Sequence, residues 1–174
     1  VLFQSSGGAG TFRGGLGVEV VIENASAETL QVASRMDRVT NPPEGLAGGK
    51  PGALAGIWHV GRSGNNEVNE TKVTKAFPPK GRGQLAPHES IVIHSPGGGG
   101  YGDPLLRDPE LVRRDIETGY VSVDRARDGY GVVLTADGKI DTRRTATMRK
   151  RIADRRVYLP IRKRSHRSEE HTSE

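Results

Sequence analysis

The sequence predicts an α+β fold, mainly β in its first hundred residues, with short helices and a hairpin in its C-terminal part. Three observations carry this. Short apolar runs near 18–22, 30–36, 57–60 and 90–94 are separated by turn-forming residues. Helix-capping residues follow at Asp108, Ser122 and Asp141. Glycine occurs 24 times in 174 residues, about double the usual ~7% share, and gathers in runs that no regular element accommodates.

The elements follow in order. Gly7 to Gly17 offers little that could pack and reads as a loop. Val18, Val20 and Ile22 alternate with Glu19, Val21 and Glu23, which predicts a strand with one inward face. Asn24-Ala25-Ser26 is a turn, and Thr29 to Val39 reads as the return strand of a hairpin, with Leu30, Val32 and Met36 inward. Asn41 to Gly56 is dominated by Gly, Pro and Ala and forms no regular element. Ile57 to Val60 is a short apolar strand, Glu67 to Ala76 is polar and mildly β-prone, and Lys80 to Gln84 is a turn. Ser90 to His94 is a buried strand that runs straight into Pro96 and four glycines. Asp108-Pro109-Glu110 then starts a helix: a side-chain acceptor, a fixed φ and a negative charge at the positive end of the helix. Leu111, Val112 and Ile116 continue it at helical spacing, and Gly119 ends it. Ser122 caps a second helix over Val123 to Asp128. Tyr130 to Leu134 reads as a strand, Ala136 to Lys139 as an Asp-Gly turn, and Ile140 as the close of that hairpin. Asp141 caps a last helix to about Arg155.

Composition excludes several classes. The chain has no cysteine, so disulfides, thiolate metal sites and a cysteine nucleophile are ruled out. No apolar run approaches the ~18 residues of a membrane helix, and no signal-peptide pattern opens the chain. A soluble, cytoplasmic protein with no membrane partner is expected. Apolar residues make up 33%, below the ~45–50% of ordinary domains, so the chain is expected to lean on other surfaces for burial. The net charge of +5 is confined to one region: Asp141 to His166 holds ten basic residues against two acidic ones. That stretch reads as a solvated helix face with a basic tail. Aromatics are only 5% and do not interleave with it, which argues against base stacking, and no nucleic-acid partner is expected.

A glycine run between a strand and a helix invites comparison with a phosphate cradle, because backbone amides can approach an anion there. The details oppose it. No Lys-Ser/Thr follows the glycines, Asp103 intervenes, and the helix begins eight residues after Gly100. Tight turns where backbone meets backbone, or a loop at an active site or subunit interface, remain open. His59, His94 and Asp103 could form a two-histidine, one-carboxylate set, but a lone histidine on a strand is more often structural, and no metal is assigned. No serine lies in a nucleophile elbow and no nucleophile–base pair is visible.

Three motifs occur together in order. Gly7-Gly8-Ala9-Gly10 with Arg13-Gly14-Gly15-Leu16-Gly17 comes first, and Gly45-Leu46-Ala47-Gly48-Gly49 second. The third runs from Pro96-Gly97-Gly98-Gly99-Gly100-Tyr101-Gly102-Asp103-Pro104 through Arg107-Asp108-Pro109 and Gly119-Tyr120-Val121-Ser122 to Tyr130–Leu134. Their combination resembles the C-terminal part of the hydantoinase B/oxoprolinase family, which includes the B-type subunit of N-methylhydantoinase, the C-terminal half of 5-oxoprolinase and acetone carboxylase alpha subunits. The resemblance covers about residues 6–152. It departs from the family at Pro87-His88-Glu89, where members usually carry a Gly-Asp turn.

The resemblance implies part of an ATP-dependent enzyme that hydrolyses a cyclic amide, a lactam or imide. ATP would be used by a partner, a hydantoinase A-type subunit or N-terminal oxoprolinase half, in a hetero-oligomer. A carboxylase alpha subunit is the alternative within the family, and a non-catalytic scaffold the alternative outside it. Any divalent metal would lie in an upstream part of the family's longer chain, so no cofactor is assigned to these residues and the isolated chain is expected to be inactive. No catalytic residue carries over. The candidate substrate or interface residues are Arg13, Gly98, Gly99, Gly100, Tyr101 and Asp103. Residues 1–156 are expected to form the family unit and 157–174 a basic tail, with 167–174 resembling a translated sequencing adapter.

Overall fold

The computed structural model describes residues 1–62 and 71–157. The expectation for Glu67–Glu70 and that for a basic tail beyond Val157 lie outside the described residues. Six strands come first: β1 (Glu19–Glu23), β2 (Leu30–Arg35), β3 (Gly56–Arg62), β4 (Thr71–Ala76), β5 (Lys80–Leu85) and β6 (Ser90–His94). Three helices follow: α1 (Pro109–Glu117), α2 (Val123–Tyr130) and α3 (Thr142–Val157). The expected α+β architecture is present, with the strands before residue 100 and the helices after it. Among the described residues no helix is long and apolar enough to cross a membrane.

The strands form two antiparallel layers. The larger sheet has the order β1-β6-β3-β4, and β2 pairs with β5 in a separate ladder. The hydrophobic core between them joins Ile57 and Ile91 of the large sheet to Phe77 and Leu85, with Val32, Met36 and Ile93 packed around it.

The expected β1–β2 hairpin does not form. Asn24 explains why. It is fully buried, and its side-chain amide donates to the carbonyls of Glu28 and Leu85 while its side-chain oxygen accepts from Ser26. Its backbone bonds Glu89 and His88. These bonds turn the chain out of the large sheet, so β2 pairs with β5 across the sandwich. The expected turn at Lys80–Gln84 is therefore strand β5. Its glycines misled the reading: at Gly83 a Cβ would lie 2.4 Å from the Phe77 ring, so this glycine makes room for a core aromatic. Val18, Val20, Ile22 and Leu30, expected inward, are 42–47% exposed, whereas Val32 and Met36 pack against the core as expected.

The helical region has its own core of Val112, Val121, Ala126, Tyr130 and Val132, which also takes in Ala9. The caps stand as expected. The Asp108 carboxylate accepts from the Glu110 amide, Ser122 from Arg125 and Asp141 from Arg144. The expected strand at Tyr130–Leu134 is absent. Tyr130 closes α2, Gly131 terminates it at φ 66°, and only Leu134 bridges Ile140 across the Asp-Gly turn. An apolar run this short does not separate strand from helix by period, and the αL glycine decides it. α3 is tied on by polar contacts: the Thr145 hydroxyl accepts from the Val133 amide, and Arg149 donates to the carbonyls of Tyr130 and Arg107.

Candidate functional site

The glycine motifs meet between the two cores. Segments 6–15, 43–53 and 97–102 run side by side and exchange backbone hydrogen bonds. Gly8 donates to Gly98, Gly98 to Gly15, Gly100 to Lys50, Lys50 to Ala9, and Leu46 to Gly100. The segments approach so closely that side chains are excluded. A Cβ at Gly97 would lie 1.8 Å from the Ser6 carbonyl oxygen, and one at Gly14 would lie 2.0 Å from that of Gly98. Ser6 is buried at the centre, where its hydroxyl accepts from the Gly17 amide and donates to the Phe3 carbonyl.

This packing bears on the phosphate comparison. The amides of Gly97, Gly98, Gly100, Tyr101 and Gly102 all donate to carbonyls of neighbouring segments. They are not available to cradle an anion. Gly98, Gly99 and Gly100 therefore sit inside a backbone bundle, with Gly100 buried.

Tyr101 lies where the bundle reaches the surface. It bridges Phe12, between the two parts of the first motif, on one side and Leu46 of the second motif on the other. Phe12, Leu46 and Tyr101 are 67%, 67% and 55% exposed, and the Phe12 and Tyr101 ring centroids are 6.3 Å apart. Three apolar side chains held at one place by a rigid backbone form a patch suited to contact with another surface.

Asp103 stands beside this patch. Its carboxylate caps the 3-10 turn Pro104–Leu106 by accepting from the Leu105 amide, and it accepts from Arg156 of α3 at 2.8 Å. Partial burial pushes its pKa upward, but the Arg156 and Leu105 hydrogen bonds and the charges of Arg156 and Lys50 outweigh that and hold it below the ordinary value. Asp103 is thus an ionised anchor between the bundle and α3.

Arg13 lies elsewhere, in a buried ionic cluster. Its Nε donates to Asp115 at 3.3 Å, its Nη1 donates to the Gly14 carbonyl, and its guanidinium lies 5.2 Å from the Tyr120 ring centre. Arg107 donates to the same Asp115 oxygen at 2.8 Å and to the Thr11 carbonyl. Arg107 Nε and the Tyr130 hydroxyl are buried without hydrogen-bond partners among the described residues. Burial is the main influence on the Tyr130 hydroxyl and raises its pKa. Asp115 was not singled out from the sequence. The available signal was its place with Val112 and Ile116 on the inward face of α1, where a carboxylate needs a cation.

The histidines are engaged separately. His59 pairs with Glu89 at 2.9 Å, and His94 with Glu19 at 2.7 Å, its ring tilted against Phe3 and edge-on to Trp58. His59, His94 and Asp103 are not brought together, and among the described residues no three His, Asp or Glu side chains converge on a metal position.

A family model described as Hydantoinase B/oxoprolinase matches residues 2–104. The chain is 35% identical over 146 residues to the caprolactamase beta subunit of Pseudomonas jessenii, covering 80% of this chain and 23% of that one. Its fold matches a nucleotide-free acetone carboxylase structure with TM-score 0.66 and 26% identity, over 90% of this chain and 24% of that one. It also matches the ATP-dependent caprolactamase structure from Pseudomonas jessenii, with TM-score 0.64 and 28% identity, over 86% of this chain and 25% of that one. The chain spans about a quarter of the length of these relatives.

Proposed function

Because this chain belongs to the hydantoinase B/oxoprolinase family, we propose that it is part of the B-type subunit of an ATP-dependent enzyme hydrolysing a cyclic amide. The single observation that carries this reading is the 35% identity over 146 residues to one subunit of a caprolactamase. In this reading, residues 1–156 are one structural unit of that subunit, and the partner is an A-type subunit that uses ATP.

The chemistry explains the division of labour. A ring amide is a poor electrophile because its nitrogen lone pair is delocalised onto the carbonyl oxygen. Phosphorylating that oxygen makes the ring carbon electrophilic: water adds there, and the ring C–N bond breaks with the nitrogen leaving as a protonated amine. The acyl phosphate so formed is hydrolysed by a second water to carboxylate and phosphate. The activated carbon must then meet water in a site shielded from bulk solvent. The patch of Phe12, Leu46 and Tyr101, with Asp103 beside it, is the surface we assign to the contact with the rest of the enzyme or with substrate. Gly98, Gly99 and Gly100 hold it rigid. Arg13 positions the bundle on the helices through Asp115. ATP is consumed in the partner, and the reaction is placed in the cytoplasm.

The acetone carboxylase likeness supports a second reading, a carboxylase alpha subunit. One experiment separates the two. The full-length subunit is co-expressed with an A-type subunit, and ATP hydrolysis is measured with caprolactam, 5-oxoproline and hydantoin, and with acetone plus bicarbonate. Lactam- or imide-dependent turnover is the expected result. Turnover that requires bicarbonate favours the carboxylase, and none with any substrate leaves a scaffold role.

A further inference from the structure

The outer edge of β1 is half covered, and the register of the covering residues dictates what completes it. Val1 and Glu19 exchange backbone hydrogen bonds at 2.9 and 2.8 Å, Leu2 bridges Val18 in antiparallel sense, and the Phe3 amide donates to Gly17 at 2.8 Å. Val1 to Phe3 thus form a short antiparallel ladder against 17–19, and from Leu2 onward these residues lie within the family match.

Among the described residues nothing but β6 pairs with β1 beyond Glu19. In an antiparallel ladder, successive residues direct their amide and carbonyl to opposite sides. Val18 bonds towards Ser95 and Glu19 towards Val1. Val20 and Ile22 therefore face β6, while Val21 and Glu23 direct their amides and carbonyls to the open side. The open stretch is apolar: Val20, Val21 and Ile22 are 42%, 59% and 47% exposed. A flat apolar edge with unpaired backbone groups is what folded proteins cover, charge or shorten.

We propose that in a longer form of the subunit the segment immediately preceding Val1 continues the Val1–Glu19 pairing as an additional antiparallel strand along Val20–Glu23. The occupant is fixed by the register: the residue before Val1 falls opposite Val20, and the one before that opposite Val21. The relatives are about four times as long as this chain. With that strand the large sheet has five members, and the backbone groups of Val21 and Glu23 are paired.

The test uses the longer subunit and contains its own reference. Amide exchange is read residue by residue across β1. Val21 and Glu23 are expected to exchange within about tenfold of Val20 and Ile22, whose amides are bonded to β6 either way; a larger gap overturns the proposal. A second measurement uses cysteine pairs: these 174 residues contain no cysteine, and any cysteine in the rest of the longer subunit is first replaced by serine. Val20→Cys is combined with a cysteine at the residue just before Val1, a non-hydrogen-bonded pair whose spacing suits a disulfide. It is run beside the Leu2→Cys/Val18→Cys pair. Closure of both pairs within one chain supports the added strand. Closure of only the second, or a cross-linked dimer from the first, shows the edge open or taken by a second copy and overturns it.

Discussion

A methyl group at Gly97 would fall 1.8 Å from the Ser6 carbonyl oxygen, and both partners are backbone, with no side chain to swing away. Gly15 has nothing within 4 Å of the same hypothetical atom. Gly97→Ala is therefore expected to cost at least about 3 kcal/mol, beyond ordinary overpacking, because the bundle must open. Gly15→Ala is expected to stay within about 0.5 kcal/mol. Denaturant midpoints of the two variants check this, and equal midpoints would remove the close-packed account of the bundle. The ionic cluster offers a second contrast. Asp115→Ala leaves Arg13 and Arg107 without their shared carboxylate and is expected to cost about 3–5 kcal/mol. Tyr130→Phe deletes a buried hydroxyl that has no partner among the described residues and is expected to be neutral or stabilising. A large loss on Tyr130→Phe, read by thermal unfolding, would mean that the hydroxyl has a bonding role.

Elements whose signals are local were legible in the sequence. Asp108, Ser122 and Asp141 each accept a hydrogen bond from an amide two or three residues on, so a few consecutive residues contain the whole cause. Strand pairing is different. β1 and β2 are neighbours in sequence, yet each pairs with a strand some fifty or more residues away, and the residue that parts them, Asn24, acts through distant carbonyls. The β5 glycines looked like a turn because the sequence alone does not show the Phe77 ring lying against Gly83. The turn before β6 invites a test at this scale. His88 adopts φ 64°. A non-glycine residue there costs about 1–2 kcal/mol, against about 0.5–1 kcal/mol of chain entropy returned to glycine. Its contact with Glu23, at 4.0 Å between exposed side chains, contributes little. His88→Gly is expected to raise stability by about 0.5–1 kcal/mol. A lowered melting temperature would show that the imidazole contact outweighs the strain.

The molecule as a whole is held by apolar cores at its two ends and by backbone contacts between them, so charge at the junctions bears on its acid stability. Glu89 titrates low because it accepts from the Ala86 amide and then from His59, and Asp103 titrates low despite partial burial because of Arg156 and Leu105. Each carboxyl is more acidic folded than unfolded. Their contribution is therefore present at neutral pH, where both states are ionised, and is lost as pH falls below about 4.5 and through the folded-state values. Stability measured against pH is expected to decline there, and less steeply in a Glu89→Gln/Asp103→Asn double variant. An unchanged slope would assign the decline to other carboxylates.

At this scale too, part of the candidate site was legible. The order of the three motifs pointed to the family, and Tyr101 and Asp103 stood out as side chains in a run of glycine. Their convergence with Phe12 and Leu46 was hidden, because the pairing of segments about ninety and fifty-five residues apart has no local signature. Arg13 looked like a loop cation because its partner Asp115 is about a hundred residues on.

The bundle also constrains how this protein can vary over generations. Its packing depends on atoms that are missing, and no compensating side chain nearby can restore a space once a Cβ has filled it. Every amino-acid replacement reachable from a glycine codon adds that carbon. Drift is therefore blocked at the centre in every direction at once, while the rim positions of Phe12, Leu46 and Tyr101 can exchange one side chain for another. Divergence between lineages should accumulate on that rim, where a new substrate or partner protein could be accommodated without disturbing the scaffold beneath.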